Sequence, residues 1–202
     1  IWVWVRWSDV NNPANDWENM RSFFGTLSKT GIRGIKIDFM DSASQERLAF
    51  YDAVAENLAK NKLMVNFHGA NTPTGEERSW PHEMSREGIY GGEQNIWAAI
   101  GGQHYCALPF TRLVSGHADF TGGYFGHGPK LRGSSWTLQM AANIIYTSPI
   151  LHWVSNPADM EAAFPKDSPE REVVRNIPSV WEETIVLPPS AIGECAAFAR
   201  RS

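Results

Sequence analysis

GIKIDFMDSASQ, residues 34–45, decides how the chain reads. Its β-prone run IKIDF carries an acid, Asp38, near its end, and a second acid, Asp41, follows at once. A helix is expected just beyond, over SASQERLAFYDAVAENLAKNK, with Ser44 as its cap and Leu48, Tyr51, Ala55 and Leu58 on one face. A carboxylate inside a buried strand is a folding problem, whereas one at the strand's C-terminal end is placed for chemistry. Asp38 is open to both readings, catalysis or capping of the following turn, and Ser44 is the better placed cap.

Working outward, the same alternation recurs. IWVWVRW (residues 1–7) is a continuous β-prone run. Trp17, Met20, Phe24 and Leu27 then fall at helical spacing, with Asp16 as a candidate cap and Gly31 as the stop. LMVNF (63–67) is the next strand, followed by a loop rich in Gly, Pro and Thr from His68 to about Ser85. GIYGGE (88–93), HADF (117–120) and ILHWV (150–154) are expected as short strands, and SSWTLQMAANIIYTS as a helix. Strands that are apolar on both faces and alternate with helices imply a parallel sheet covered by helices. The expected fold is α/β: a partial (β/α)8 TIM barrel over residues 1–178, holding about its third to eighth strands. The start of a C-terminal all-β domain follows over 179–202, where TIVLPPSAIGECAAFARRS reads as two short strands around a Pro-Pro turn. A doubly wound sheet competes, but no Gly-rich phosphate loop follows the first strand. The chain begins at Ile1, inside an apolar run, so it is expected to be a piece of a longer protein.

Composition narrows the function classes. The net charge is −4, so no nucleic-acid footprint is visible. No apolar run reaches the ~18 residues needed to span a membrane. Cys106 and Cys195 have no metal-type spacing and read as thiols. Aromatics make up 12% of the 202 residues, nine of them Trp, which suits a large core or a sugar-stacking cleft.

Polar groups collect at one rim, the C-terminal ends of the expected strands: Asp9, Asp38, His68, Glu93 and Asp119. Each has an ordinary alternative. Glu93 could form a rim salt bridge, Glu87 could pair with Arg86, His68 could be a structural histidine, and Asp119 an Asx-turn residue. Two carboxylates in an aromatic cleft are what glycoside hydrolysis needs, one to protonate the leaving oxygen and one to attack carbon or activate water.

GIKIDFMDSASQ, NFHGANTPTGEERSWPHEMSREGIYGGE, LPFTRLVSGHADFT and IPSVWEETIVL together resemble glycoside hydrolase family 97. The resemblance implies a β-sandwich, a (β/α)8 barrel and a small β-domain in the whole protein. It implies Asp38 as nucleophile and Glu93 as acid/base of a retaining, α-galactosidase-like branch. Inverting α-glucosidases of the family carry a base Glu directly after the His of the motif NFHGA, where this chain has Gly69. The resemblance further implies Lys36 and His68 as substrate-binding residues, Glu87 as one ligand of a Ca²⁺ ion, and a periplasmic or secreted location. Asp119, from its place at a strand end, is a third candidate substrate-binding residue. An oligosaccharide or small α-glycoside would be the partner molecule. Trp7 is a candidate wall of the pocket. Retention requires the two carboxyls ~5–5.5 Å apart. The alternatives are an inverting α-glucosidase using Asp9, or a non-catalytic carbohydrate-binding protein.

Overall fold

The computed structural model describes residues 1–125 and 131–202. Contacts divide it into two compact units, Ile1–Gly88 and Ile89–Ser202.

The first unit is a four-stranded parallel sheet in the order β1 (Trp2–Arg6), β2 (Gly34–Asp38), β3 (Met64–Phe67) and β4 (Glu83–Arg86). Between the strands run α1 (Trp7–Val10), α2 (Glu18–Leu27), α3 (Gln45–Lys60) and α4 (Glu76–Ser79). Side chains alternate across a strand, and the burial follows that period. Ile35, Ile37, Val65 and Phe67 point to one face and pack against Met20 and Phe24 of α2 and Phe50, Val54 and Leu58 of α3. Leu48, expected on this helix face, is exposed instead; Phe50 and Val54 take the contact with the sheet. The other face carries a different row, in register across the strands: Trp4, Lys36, Asn66 and Ser85. Asn66 is fully buried and donates its side-chain N–H to Ser85 Oγ at 2.6 Å. One face of the sheet is therefore greasy and sits under helices, while the other is polar.

Ser44 caps α3 as expected, its hydroxyl accepting from Arg47 N at 3.4 Å. Trp17, in left-handed conformation, occupies the cap position of α2 in place of Asp16, which pairs with Arg21 instead. The largest departure is β4. It forms from EMSR, inside the stretch expected as loop, while the expected strand GIYGGE is not one. What holds this polar strand from outside is the Asn66–Ser85 hydrogen bond and the Arg86 guanidinium over the Tyr51 ring, while Arg86 and Glu83 form a buried pair within the strand itself.

The second unit holds α5 (Gly102–Ala107), α6 (Trp136–Ile145), α7 (Pro157–Ala163) and α8 (Pro169–Arg175), then the antiparallel pair β5 (Glu183–Val186) and β6 (Phe198–Arg201). That pair matches the two short strands expected around Pro188 and Pro189. The segments expected as strands at 88–93, 117–120 and 150–154 do not form full strands, and Gly92–Ile96 is a 3-10 turn. They still lie side by side. Gly92 N–H donates to Phe120 O at 2.6 Å, Gly122 bridges Trp153 in parallel, and Val154 N–H donates to Gly122 O at 3.0 Å. The approach needs glycine: a Cβ on Gly91 would lie 2.6 Å from Phe120 O. Among the described residues no helix is long and apolar enough to cross a membrane.

Candidate active site

Asp38 is the last residue of β2 and lies on the polar face, in register with Arg6 of β1. Both of its oxygens are engaged. Trp4 Nε1–H donates to Oδ2 at 2.8 Å, and the backbone N–H of Phe39 donates to Oδ1 at 2.6 Å. The carboxylate does not cap α3, since Ser44 does that. Beyond Asp38 the chain turns sharply, with Phe39 at φ 61° and Asp41 at φ 42°. The turn is tied to the end of β3, where Asp41 N–H donates to Gly69 O at 2.6 Å.

Gly69 sits at φ 58°. A Cβ there would lie 2.8 Å from Asp41 Oδ1, 3.1 Å from Met40 N and 3.2 Å from Phe39 Cα. The turn that follows Asp38 fills the volume a side chain at 69 would need. Gly69 N–H in turn donates to Glu87 Oε2 at 2.6 Å. The other Glu87 oxygen is 3.4 Å from His68 Nε2, and Glu87 N–H donates to Phe67 O at 2.9 Å. His68 and Glu87 are both buried. Lys36 lies one residue pair back along the same face as Asp38, between Trp4 and Asn66. The first unit thus brings Lys36, Asp38, His68 and Glu87 to the C-terminal ends of three adjacent strands.

Ca²⁺ binds through six to eight oxygens at about 2.3–2.6 Å. Among the described residues of this unit, Glu87 offers one carboxylate, already accepting from Gly69, with an imidazole nitrogen beside it. That donor set gives such an ion one ligand and does not make its shell, so no chemical step is routed through it.

In the second unit Glu93 lies in the first turn of the 3-10 segment, and its backbone O accepts from Tyr124 OH at 2.9 Å. Burial, with the Glu93 carboxylate and Tyr105 adding to it, pushes the Tyr124 phenol far up, so it remains a donor. Asp119 is 1% exposed, and its Oδ1 lies 2.8 Å from Nδ1 of the more accessible His152. Tyr124 and His152 carry no local sequence signal. Trp4 does carry one: strand alternation places it with Arg6, opposite Val3, Val5 and Trp7. Trp7 does not sit with Asp38. It packs on the core, edge to face with Phe50.

Comparison with known proteins accords with this arrangement. The family model described as "Glycoside hydrolase 97" matches residues 1–89. Over all 202 residues the chain is 35% identical to a "Probable retaining alpha-galactosidase" of Streptomyces bingchenggensis, of which it covers 30%. The similarity to glycoside hydrolase family 97 is carried by residues 1–89. A second relative, the "Retaining alpha-galactosidase" of Bacteroides thetaiotaomicron, is 29% identical over 98% of the chain and 30% of its own length. The chain thus spans just under a third of the curated relatives it matches. Among solved structures, a family 97 enzyme from Pseudoalteromonas sp. strain K8 in complex with panose superposes with TM-score 0.83 at 22% identity, covering 98% of this chain and 33% of that one. A β-arabinopyranosidase gives TM-score 0.81 at 24% identity, covering 100% and 34%.

Proposed function

We propose that the protein carrying this chain is a retaining glycoside hydrolase acting on terminal α-glycosidic bonds, with α-galactosides as its substrates. The observation that carries the reading is the carboxylate of Asp38: at a strand's C-terminal end, oriented by two donors, and not spent on a helix cap. The names of the two curated relatives support the same choice.

In this reading Asp38 attacks the anomeric carbon while the glycosidic C–O bond breaks and Glu93 protonates the departing oxygen. The product is a covalent glycosyl-enzyme. Glu93, now a carboxylate, takes a proton from water; the water oxygen bonds to the anomeric carbon, and the bond to Asp38 breaks. Lys36 and His68 hydrogen-bond sugar hydroxyls, and Asp119 acts on substrate through its partner His152. If a Ca²⁺ ion is bound, Glu87 would be the residue of this unit to give it an oxygen, and the ion would supply positive charge beside the sugar. Residues 1–178 are read as the later part of a (β/α)8 barrel, and 179–202 as the opening of an all-β domain. The parallel order β1–β4 and the bridged segments of the second unit support this.

An inverting α-glucosidase is the second reading. It needs a base elsewhere, and Asp9 is the candidate. Asp9 Oδ2, however, accepts from Arg6 N at 3.2 Å in the first turn of α1, a capping role. The position used by inverting members, Gly69, has no room for a side chain.

The deciding experiment is Asp38→Gly in the full-length protein, assayed on an aryl α-galactoside with and without azide. The expected result is loss of turnover and recovery with azide as a β-galactosyl azide. Near-parental turnover without azide would remove Asp38 from the chemistry and the retaining assignment with it.

A further inference from the structure

The geometry points to Trp4 as a positioning residue for Asp38, acting through a single N–H bond to the carboxylate. This inference rests on Asp38 being the nucleophile.

Trp4 is a surface-type residue by exposure, 50% accessible, yet its indole is fixed at both ends. Its backbone pairs in register with Lys36, two residues before the Arg6–Asp38 pair. Its ring meets Phe39 edge to face, with centroids 6.0 Å apart. Its Nε1–H then reaches Asp38 Oδ2 at 2.8 Å while Phe39 N–H takes Oδ1. Two donors on two oxygens set the plane of the carboxylate. Each oxygen keeps a second lone pair, so the group remains able to attack.

The consequence lies in the charge on Asp38 over the cycle. Forming the bond to the anomeric carbon discharges the carboxylate. Breaking that bond in the second half returns the negative charge to it. A hydrogen bond to an ionised oxygen is stronger than one to a neutral ester. Trp4 therefore favours release of the sugar from Asp38 and holds the free carboxylate aligned for the next attack. Arg6, on the same strand, lies with its guanidinium 5.7 Å from the Phe39 ring centroid, so Trp4 and Arg6 both brace the residue that follows Asp38.

The test uses the full-length protein and an aryl α-galactoside with a good leaving group. Trp4→Phe keeps an aromatic ring against Phe39 and removes the donor. Losing a hydrogen bond to a charged group lowers kcat by about 10- to 100-fold. KM stays the same or falls, because glycosyl-enzyme accumulates. The same pair of rates is then compared in the Asp38→Gly background with azide as nucleophile. With the carboxylate gone, Trp4→Phe changes the rescued rate less than about twofold, which is the non-additivity expected of residues acting through one contact. A benzothiophene analogue of tryptophan at position 4 keeps the ring shape and lacks only the N–H. It reproduces the Trp4→Phe kinetics even if phenylalanine disturbs the strand. Parental kcat in the analogue overturns the inference. So does an equal loss in the azide-rescued background, which would place Trp4 on the sugar. If instead Asp38→Gly alone retains turnover, the proposed function fails and the positioning role of Trp4 falls with it, whereas loss of turnover in Asp38→Gly with parental kcat in the analogue overturns the Trp4 inference alone.

Discussion

Arg86→Met should loosen the end of the sheet that presents Glu87. The Arg86 side chain is 1% exposed and bidentate to Glu83, with Nη2 3.2 Å from Oε2 and Nε bonded to Oε1. Its Nη1 also reaches Asn71 Oδ1 at 3.1 Å and Glu76 Oε1 at 3.2 Å, and the guanidinium stands 4.1 Å from the Tyr51 ring centroid. Methionine fills most of the volume but leaves Glu83, whose side chain is 2% exposed, without its cation. Stranding one member of a buried pair costs about 3–5 kcal/mol. At about 1.4 kcal/mol per factor of ten, amide protection across β3 and β4 should fall by about two to three and a half orders of magnitude. Native-state hydrogen exchange on peptides covering 64–67 and 83–86 reads this locally in the full-length protein. Glu83→Gln should cost less, because Arg86 keeps Glu76. Arg86→Met with Glu83→Leu should regain most of the protection, since a neutral apolar pair strands no charge. A single Arg86→Met within tenfold of the parent, or a double variant as weak as the single, would refute the reasoning.

Gly69→Ala places a Cβ against the backbone of 39–41 at φ 58°, and the left-handed conformation alone costs about 1–2 kcal/mol for a non-glycine residue. The expected result is a lower thermal midpoint and weaker turnover, because the turn carrying Asp38 must move; a variant as stable and active as the parent would count against it. Burial pushes the His82 ring below the ordinary histidine value, opposed by its hydrogen bond to Ala55 O. With the folded value lowered, the unfolded chain binds the proton more readily. Stability is then full above the unfolded value of ~6.5 and is lost as pH falls through the folded value. His82→Gln should flatten that acid limb in urea midpoints taken from about pH 7 to 5, and an unchanged slope would sink the assignment.

The first three strands were legible because apolar β-branched and aromatic runs end at polar residues, as in IKIDF and LMVNF. Asp38 was legible for the same reason, since a carboxylate in such a run has one tolerable place, the end. The fourth strand was not. EMSR has no β-type composition, and the contacts that fix it as a strand, Ser85 with Asn66 and Arg86 with the Tyr51 ring, come from residues far away in sequence. Composition favoured GIYGGE instead, whose aromatic and isoleucine mimic a strand while Gly91 and Gly92 serve a close backbone approach. Trp4 was within reach of the period-two rule, which separates it from Trp7. Tyr124 and His152 were not, because their roles come from contacts 31 and 33 residues away.

Gly69 has a historical implication. The turn after Asp38 and any side chain at position 69 claim the same space, and the Gly69 peptide is stitched to Asp41 on one side and Glu87 on the other. The resemblance implies relatives that keep a glutamate at 69 and no aspartate at 38. Starting from the arrangement seen here, a side chain can be added at 69 only if the 39–41 turn moves. Position 69 and the turn at 39–41 should therefore change together rather than one at a time.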